Sequence, residues 1–244
     1  MPREDQLSGK VVLVTGASRG IGYAAAREAA RRGAHVVAVA RTVGGLEELD
    51  DEIQDLGSTA TLVPLDLRDG DAIDRLGAAI FERWGALDGL IANAAALGTL
   101  SPVPHLAPED FDDVFKINVT ANFRLIRATD LLLRQAPAAR AVFVTSGAAR
   151  SARPYWGLYA ASKAALEALV KSYAGEMKST AVRANVFDPG AVRTGMRAAA
   201  FPGEDPDTLP TPVEIAPRLV DMIAPGFAET GVRLRRETGE IAAL

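Results

Sequence analysis

The chain has 244 residues, with 27 basic against 31 acidic side chains for a net charge of -4, and no cysteine. That length suits one α/β domain with a substantial core, and the acidic balance argues against a nucleic-acid surface. The lack of cysteine excludes disulfides, thiolate metal sites and a cysteine nucleophile; with His35 and His105 as the only histidines, no metal site is expected.

In chain order, β-branched runs at 10–15, 35–40, 60–65, 87–93, 141–146 and 181–187 alternate with helix-like stretches at 20–32, 45–56, 70–84, 108–135 and 157–178. The runs lack strict polar alternation, which predicts strands covered on both faces, and the β-α-β rhythm predicts a parallel sheet. Right-handed crossovers then give an α/β fold: a doubly wound parallel sheet of Rossmann type, helices on both faces, with ligands at the carboxyl ends of the strands. No repeat, linker or low-complexity tract interrupts the chain, so residues 1–244 read as a single dinucleotide-binding and catalytic domain. The stretch 201–217 carries five prolines (202, 206, 210, 212, 217) and reads as irregular, within a substrate lid spanning 195–217. The opening Met-Pro-Arg-Glu-Asp-Gln is polar, unlike a signal peptide, and no apolar run approaches the ~20 residues of a membrane span. A cytoplasmic protein with neither membrane nor nucleic-acid partner is expected.

Directly after the first strand comes Thr15-Gly-Ala-Ser-Arg-Gly-Ile-Gly22. Gly16 permits a tight turn, Gly20 lets backbone approach a pyrophosphate, and Gly22 allows close helix packing. Ser18, Arg19 and Ile21 complete the loop, and the following helix supplies free amides and a positive dipole end. The second strand ends in Ala40 and Arg41, where an acidic residue would grip ribose hydroxyls. Arg41 and Arg19 suit a 2′-phosphate instead, so NADP(H) is the expected cofactor, with NAD(H) the lesser alternative. Tyr159 and Lys163 stand at i and i+4 of a helical stretch, on one face. An ammonium ~4 Å from the phenol at an effective dielectric of ~20 is worth roughly 4 kcal/mol. That predicts a tyrosine pKa lowered by about 3 from its usual ~10.

Together, the Gly-x-x-x-Gly-x-Gly loop and Tyr-x-x-x-Lys pair resemble the compact, single-domain branch of the short-chain dehydrogenase/reductases, over almost the whole chain. The resemblance implies hydride transfer between nicotinamide and a carbonyl or secondary alcohol of a small molecule, with Tyr159 as general acid/base. It implies that Ser146, thirteen residues before Tyr159, orients the substrate oxygen, and that Lys163 tunes the phenol and binds the nicotinamide ribose. Asn118 matches the family's helix asparagine, implied to hold a water linking Lys163 to solvent. Asp66 and Leu67 match the adenine contact, and Asn93-Ala-Ala the segment after the fourth strand. Pro189, Gly190, Val192 and Thr194 match the loop that holds the nicotinamide carboxamide. Read by themselves, Ser146 could simply end a strand and Asn118 could bond a neighbouring carbonyl.

Three departures stand out: Ala95 where glycine is usual, Asp188 where a neutral residue is commoner, and a C-terminal segment without Asp-Gly-Gly. Ala148, Ala149, Pro154, Tyr155, Trp156, Met196 and Phe201 fall at substrate-facing places and suggest an apolar or aromatic substrate. Arg150 and Arg153 offer the alternative of an anionic one, and Tyr155 and Trp156 the alternative of packing against chain or a partner subunit. The run from Met196 to Pro206 is similar to a subgroup of bacterial short-chain reductases. The family's habit of pairing its two long helices implies a homodimer or homotetramer, with Phe123, Leu131, Leu132, Leu166, Leu169 and Val170 as the apolar surface. The competing functional class is an NADP(H)-binding redox sensor or scaffold with vestigial catalysis, which would not need Asn118, Ser146, Tyr159 and Lys163 together.

Overall fold

The structure, a computed structural model, describes residues 6–244; the polar opening up to Asp5 lies outside it. Eight strands form one sheet in the order β3-β2-β1-β4-β5-β6-β7-β8. They are β1 Val11–Thr15, β2 His35–Ala40, β3 Ala60–Pro64, β4 Gly89–Ala92, β5 Arg140–Val144, β6 Arg183–Asp188, β7 Val232–Arg235 and β8 Ile241–Ala243. All neighbours run parallel except β7 and β8. The order turns outward on either side of the β1–β4 pair, and that switch point opens a crevice at the carboxyl ends of both strands.

Alternation along β1 shows why these runs lack polar residues. Val11 and Leu13 face a core built with α3 Gly70–Trp84, α5 Ala121–Gln135 and α7 Gly157–Glu176. Val12 and Val14 face the opposite core, with α1 Gly20–Arg31, α2 Val43–Asp55 and α9 Pro212–Asp221. Both faces being buried, the strand is apolar from Val11 to Val14, and Thr15 at its end is buried with its hydroxyl accepting from the Asn93 amide.

The predicted helix over 108–135 is three pieces in one rod. α4 Pro108–Phe115 runs through a π-helical turn, Lys116–Thr120, into α5. The predicted excursion 201–217 is corrected: Pro212 and Pro217 belong to α9, and only 201–211 is irregular apart from a single 3₁₀ turn at Pro206–Thr208. Pro212 sits at the first turn, where its missing N–H costs nothing, and Thr211 and Glu214 form a reciprocal capping box before it. α9 is fastened to α1 by the fully buried Arg32, which donates to Glu28 and Asp221 at 2.7 Å and to the Pro217 carbonyl at 2.9 Å. α6 Ala148–Ser151 and α8 Gly195–Ala200 are short helices at the rim of the crevice.

The apolar surface expected for assembly is also corrected. Leu132, Leu166 and Val170 belong to the core, Leu169 is half-buried, and Phe123 and Leu131 remain outside, the latter 72% exposed. No helix among the described residues is long and apolar enough to cross a membrane.

Candidate active site

The crevice is a cleft of about 1040 Å³ running from the β1–α1 turn to the short helices at its rim. Gly16, Ser18, Arg19, Gly20 and Ile21 line one end, with Arg41 and Thr42 beyond the end of β2. Gly16 holds φ +69, and a Cβ there would stand 3.0 Å from the Ala94 Cα, so the loop closes against the segment after β4 only without a side chain. Gly22 does not line the cleft; it lets α1 press against the Gly16 carbonyl. Asn93 lines the wall and clamps the turn, its Nδ2 donating to the Thr15 carbonyl at 3.1 Å while its amide donates to Thr15 Oγ1.

Leu65 and Leu67 line the cleft after β3, but Asp66 does not. The Asp66 carboxylate is held by Arg68, whose Nη2 donates at 2.7 Å, and this pairing keeps its pKa below the usual carboxylate value. Arg41 adds to that effect from a distance. An adenine contact from Asp66 is therefore not preformed.

Ser146 and Tyr159 both line the cleft. Ser146 Oγ accepts from the Ala148 amide at 3.2 Å, which fixes the serine at the start of α6. Tyr159 is 7% exposed. Burial pushes its phenol up to about 12; the neighbouring Ser146 hydroxyl lowers it and the charge of Asp188 raises it. The lowered phenol expected from Lys163 is thus corrected. Lys163 Nζ donates to the Val144 carbonyl at 2.8 Å and lies 5.8 Å from the centre of the Tyr159 ring. Burial brings the lysine down to about 8, partly opposed by Glu167. Helical spacing put both groups on one face, and the strand carbonyl captured the ammonium.

Asn118 sits in the π turn and is fully buried. Its Nδ2 donates at 2.9 Å to the Ala96 carbonyl and to Ser162 Oγ, while Oδ1 accepts from the Ala96 amide. Both amide hydrogens are spent, Oδ1 already accepts one bond, and the main-chain carbonyl accepts from Asn122 Nδ2. Ser162 passes the bond on to the Tyr159 carbonyl at 2.8 Å. The asparagine thereby braces the helix that carries the tyrosine.

Pro189, Gly190, Val192 and Thr194 line the cleft beside Tyr159, and Thr194 caps α8 by accepting from the Arg197 amide. The sequence reading missed the other side of this loop. Glu237 and Arg235 from the β7–β8 hairpin line the cleft as well. A Cβ on Gly190, at φ +68, would stand 2.6 Å from Glu237 Cδ, and Arg236 donates to the Pro189 carbonyl at 3.1 Å. Arginines in β7 hid this strand; the buried one, Arg233, pairs with Glu167.

At the rim, Ala148, Trp156, Met196 and Phe201 line the cleft. Trp156 stands edge-on to Tyr159 at 6.1 Å and 5.6 Å from Phe201, over which Arg197 lies while paired with Glu204. Tyr155 is corrected: it is 60% exposed and does not line the cleft. Its φ of 72° is left-handed, as is that of Ala152 at 40°, each costing on the order of 1–2 kcal/mol for a residue with a side chain. Among the described residues no group of acidic, histidine or cysteine side chains could hold a metal ion.

A switch-point crevice with a glycine turn and a serine beside a buried tyrosine defines a nucleotide-binding oxidoreductase architecture. The family model described as short chain dehydrogenase matches residues 10–205, and the chain belongs to that family. It is 38% identical over 219 residues to the oxidoreductase YciK of Escherichia coli strain K12, covering 88% of this chain and 86% of that protein. It is 36% identical over 192 residues to the hydroxynaphthalene reductase-like protein Arp2 of Metarhizium guizhouense, covering 78% and 71%. A short chain dehydrogenase of Shigella flexneri, crystallised with NADP, superposes with a TM-score of 0.92 at 36% identity, covering 96% of this chain and 99% of that one.

Proposed function

We propose that this protein is an NADP(H)-dependent reductase or dehydrogenase acting on a carbonyl or secondary alcohol, with Tyr159 as the general acid/base. The observation that carries this reading is that Ser146 and the buried Tyr159 line one cleft whose far end holds Arg19 and Arg41. The NADP of the Shigella flexneri relative supports the cofactor form.

The residues present fit such a cofactor. Gly16, Gly20 and the α1 amides would take the pyrophosphate, Arg19 and Arg41 a 2′-phosphate, and the loop from Pro189 to Thr194 the nicotinamide end. When bound, the cofactor supplies or accepts the hydride. Ser146 donates to the substrate oxygen and orients it, and Tyr159 gives that oxygen its proton as the alcohol forms. A phenol held near 12 stays protonated at neutral pH but donates weakly, so donation needs an ammonium brought close to it. Lys163, released from the Val144 carbonyl, would stabilise the phenolate left behind and reach the ribose hydroxyls. A water that returns the proton would be held by an oxygen of Asn118 in addition to the bonds that it already accepts.

Trp156, Met196, Phe201 and Ala148 make an apolar wall for the substrate, and an aromatic ring fits it; the name of the Metarhizium relative carries one too. A homodimer or homotetramer would cover Phe123 and Leu131, which light scattering can check. The central test is NADPH consumption with ketones, aldehydes and quinones, beside Tyr159→Phe. The variant should lose turnover and keep cofactor affinity; substantial residual activity would remove the tyrosine from its role. Tight NADPH binding with no turnover of any carbonyl would favour a redox sensor instead.

A further inference from the structure

Most guanidinium groups in this protein are neutralised by the chain itself. Arg32, Arg68, Arg197 and Arg233 pair with carboxylates, Arg83 lies over the Trp84 ring, and Arg140 donates to main-chain carbonyls. Among the described residues, Arg19, Arg41, Arg150 and Arg153 differ: none has a carboxylate within 4 Å or a hydrogen-bond acceptor from the chain. Arg218, on α9 away from the cleft, is a further case, and all five are exposed to solvent. What sets the other four apart is their place around one site. Arg19 and Arg41 line the cofactor end of the cleft, and Arg153 lines its rim. Arg150 lines an adjoining cavity of about 360 Å³ that shares Gly147 and Ser151 with the cleft.

We propose that Arg150 and Arg153 bind an oxyanion on the substrate, so that the site takes carbonyl compounds with an apolar or aromatic body and a carboxylate or phosphate. This rests on the oxidoreductase reading above. A carbonyl oxygen at Ser146 and Tyr159 puts the rest of the molecule against Trp156 and Phe201. Arg153, three residues before Trp156, lines the same rim. The chain fixes its position at a conformational cost, since Ala152 and Tyr155 on either side of the Arg153-Pro154 step are left-handed. Of the other charges facing this region, Arg233 and Arg235 of β7 pair with Glu167 and Glu240, while Asp188 of β6 accepts from the Gly190 amide and keeps its negative charge in the lining of both cavities. Two guanidiniums without a carboxylate partner offer an anion charge-assisted hydrogen bonds that outweigh this single carboxylate.

The test uses 4-formylbenzoate, its methyl ester and 4-formylphenyl phosphate, titrated calorimetrically into the full chain with NADP⁺ present so that no hydride moves. The anionic aldehydes should bind at least tenfold more tightly than the ester. R153A and R153Q should bring that ratio below threefold, R150A should reduce it, and R153K should keep part of it. Tighter binding of the benzoate than of the phosphate assigns a carboxylate, and the reverse a phosphate. Equal affinity for anions and ester in the wild type overturns the proposal, as does an R153Q that weakens all three alike. Turnover of the same aldehydes with NADPH is read separately. Selective anion binding without turnover would leave the oxyanion site standing and sink the oxidoreductase reading.

Discussion

Lys163→Met measures what the buried ammonium costs the fold. The Nζ donates to the Val144 carbonyl at 2.8 Å, and burial holds the lysine pKa down from 10.5 to about 8. At about 1.36 kcal/mol per pKa unit, this drop opposes folding by on the order of 3 kcal/mol while the group is charged in both states. The folded protein binds fewer protons than the unfolded chain between pH 8 and 10.5, so wild-type stability rises with pH in that window relative to an uncharged variant. Methionine keeps the length but leaves the Val144 carbonyl without its donor, at about 1–3 kcal/mol. The two effects nearly cancel at neutral pH, where the variant should lie within about 2 kcal/mol of wild type. By the upper end of the window it should be the less stable protein. Urea unfolding of both proteins at several pH values, without cofactor, isolates the lysine because the other ionisations cancel. The stability difference should move by about 3 kcal/mol across the window. A difference that stays flat refutes the reasoning.

Gly22→Ala would put a Cβ 2.5 Å from Asn93 Nδ2 and 2.8 Å from the Gly16 carbonyl carbon. Overpacking of about 1–3 kcal/mol should lower Tm by about 3–10 °C and weaken NADPH binding, whereas Gly44→Ala in α2, with nothing within 4 Å, should gain about 0.5–1 kcal/mol. Thermal scans that shift both variants the same way contradict this. Asp188→Asn removes a negative charge that raises the Tyr159 pKa, so the limb of kcat/KM reporting the phenol should move to lower pH. No movement, or movement to higher pH, would separate Asp188 from the tyrosine. Arg41→Asp should invert the preference for NADPH over NADH; unchanged NADPH affinity would remove Arg41 from the cofactor site.

Strands β1, β2, β4, β5 and β6 were legible because burial on both faces leaves an unmistakable apolar run, β3 was legible at the sheet edge by its β-branched residues, and the glycine turn stands where such a sheet must bind phosphate. β7 was not, since Arg233 and Arg235 break its run and the buried Arg233 is tolerated only because Glu167 meets it. α9 was hidden by its prolines, although Thr211 and Glu214 gave a readable capping box. Spacing correctly put Tyr159 and Lys163 on one helix face. It could not reveal that the Val144 carbonyl takes the ammonium, because that partner comes from a different element. Asp66 and Glu237 make the same point in opposite directions. Arg68 draws the first out of the cleft, and a hairpin invisible to local pattern brings the second in.

A π turn amounts to an α-helix carrying one surplus residue. At Lys116–Thr120 that surplus lies between α4 and α5, and the buried positions Val114, Asn118, Asn122 and Leu125 run through it. Loss of a single residue there would restore a straight helix and rotate Asn118 away from Ala96 and Ser162. The length of this segment is therefore as tightly specified as its composition: a one-residue deletion would disturb the support of Tyr159 more than many substitutions, without altering a side chain in the cleft.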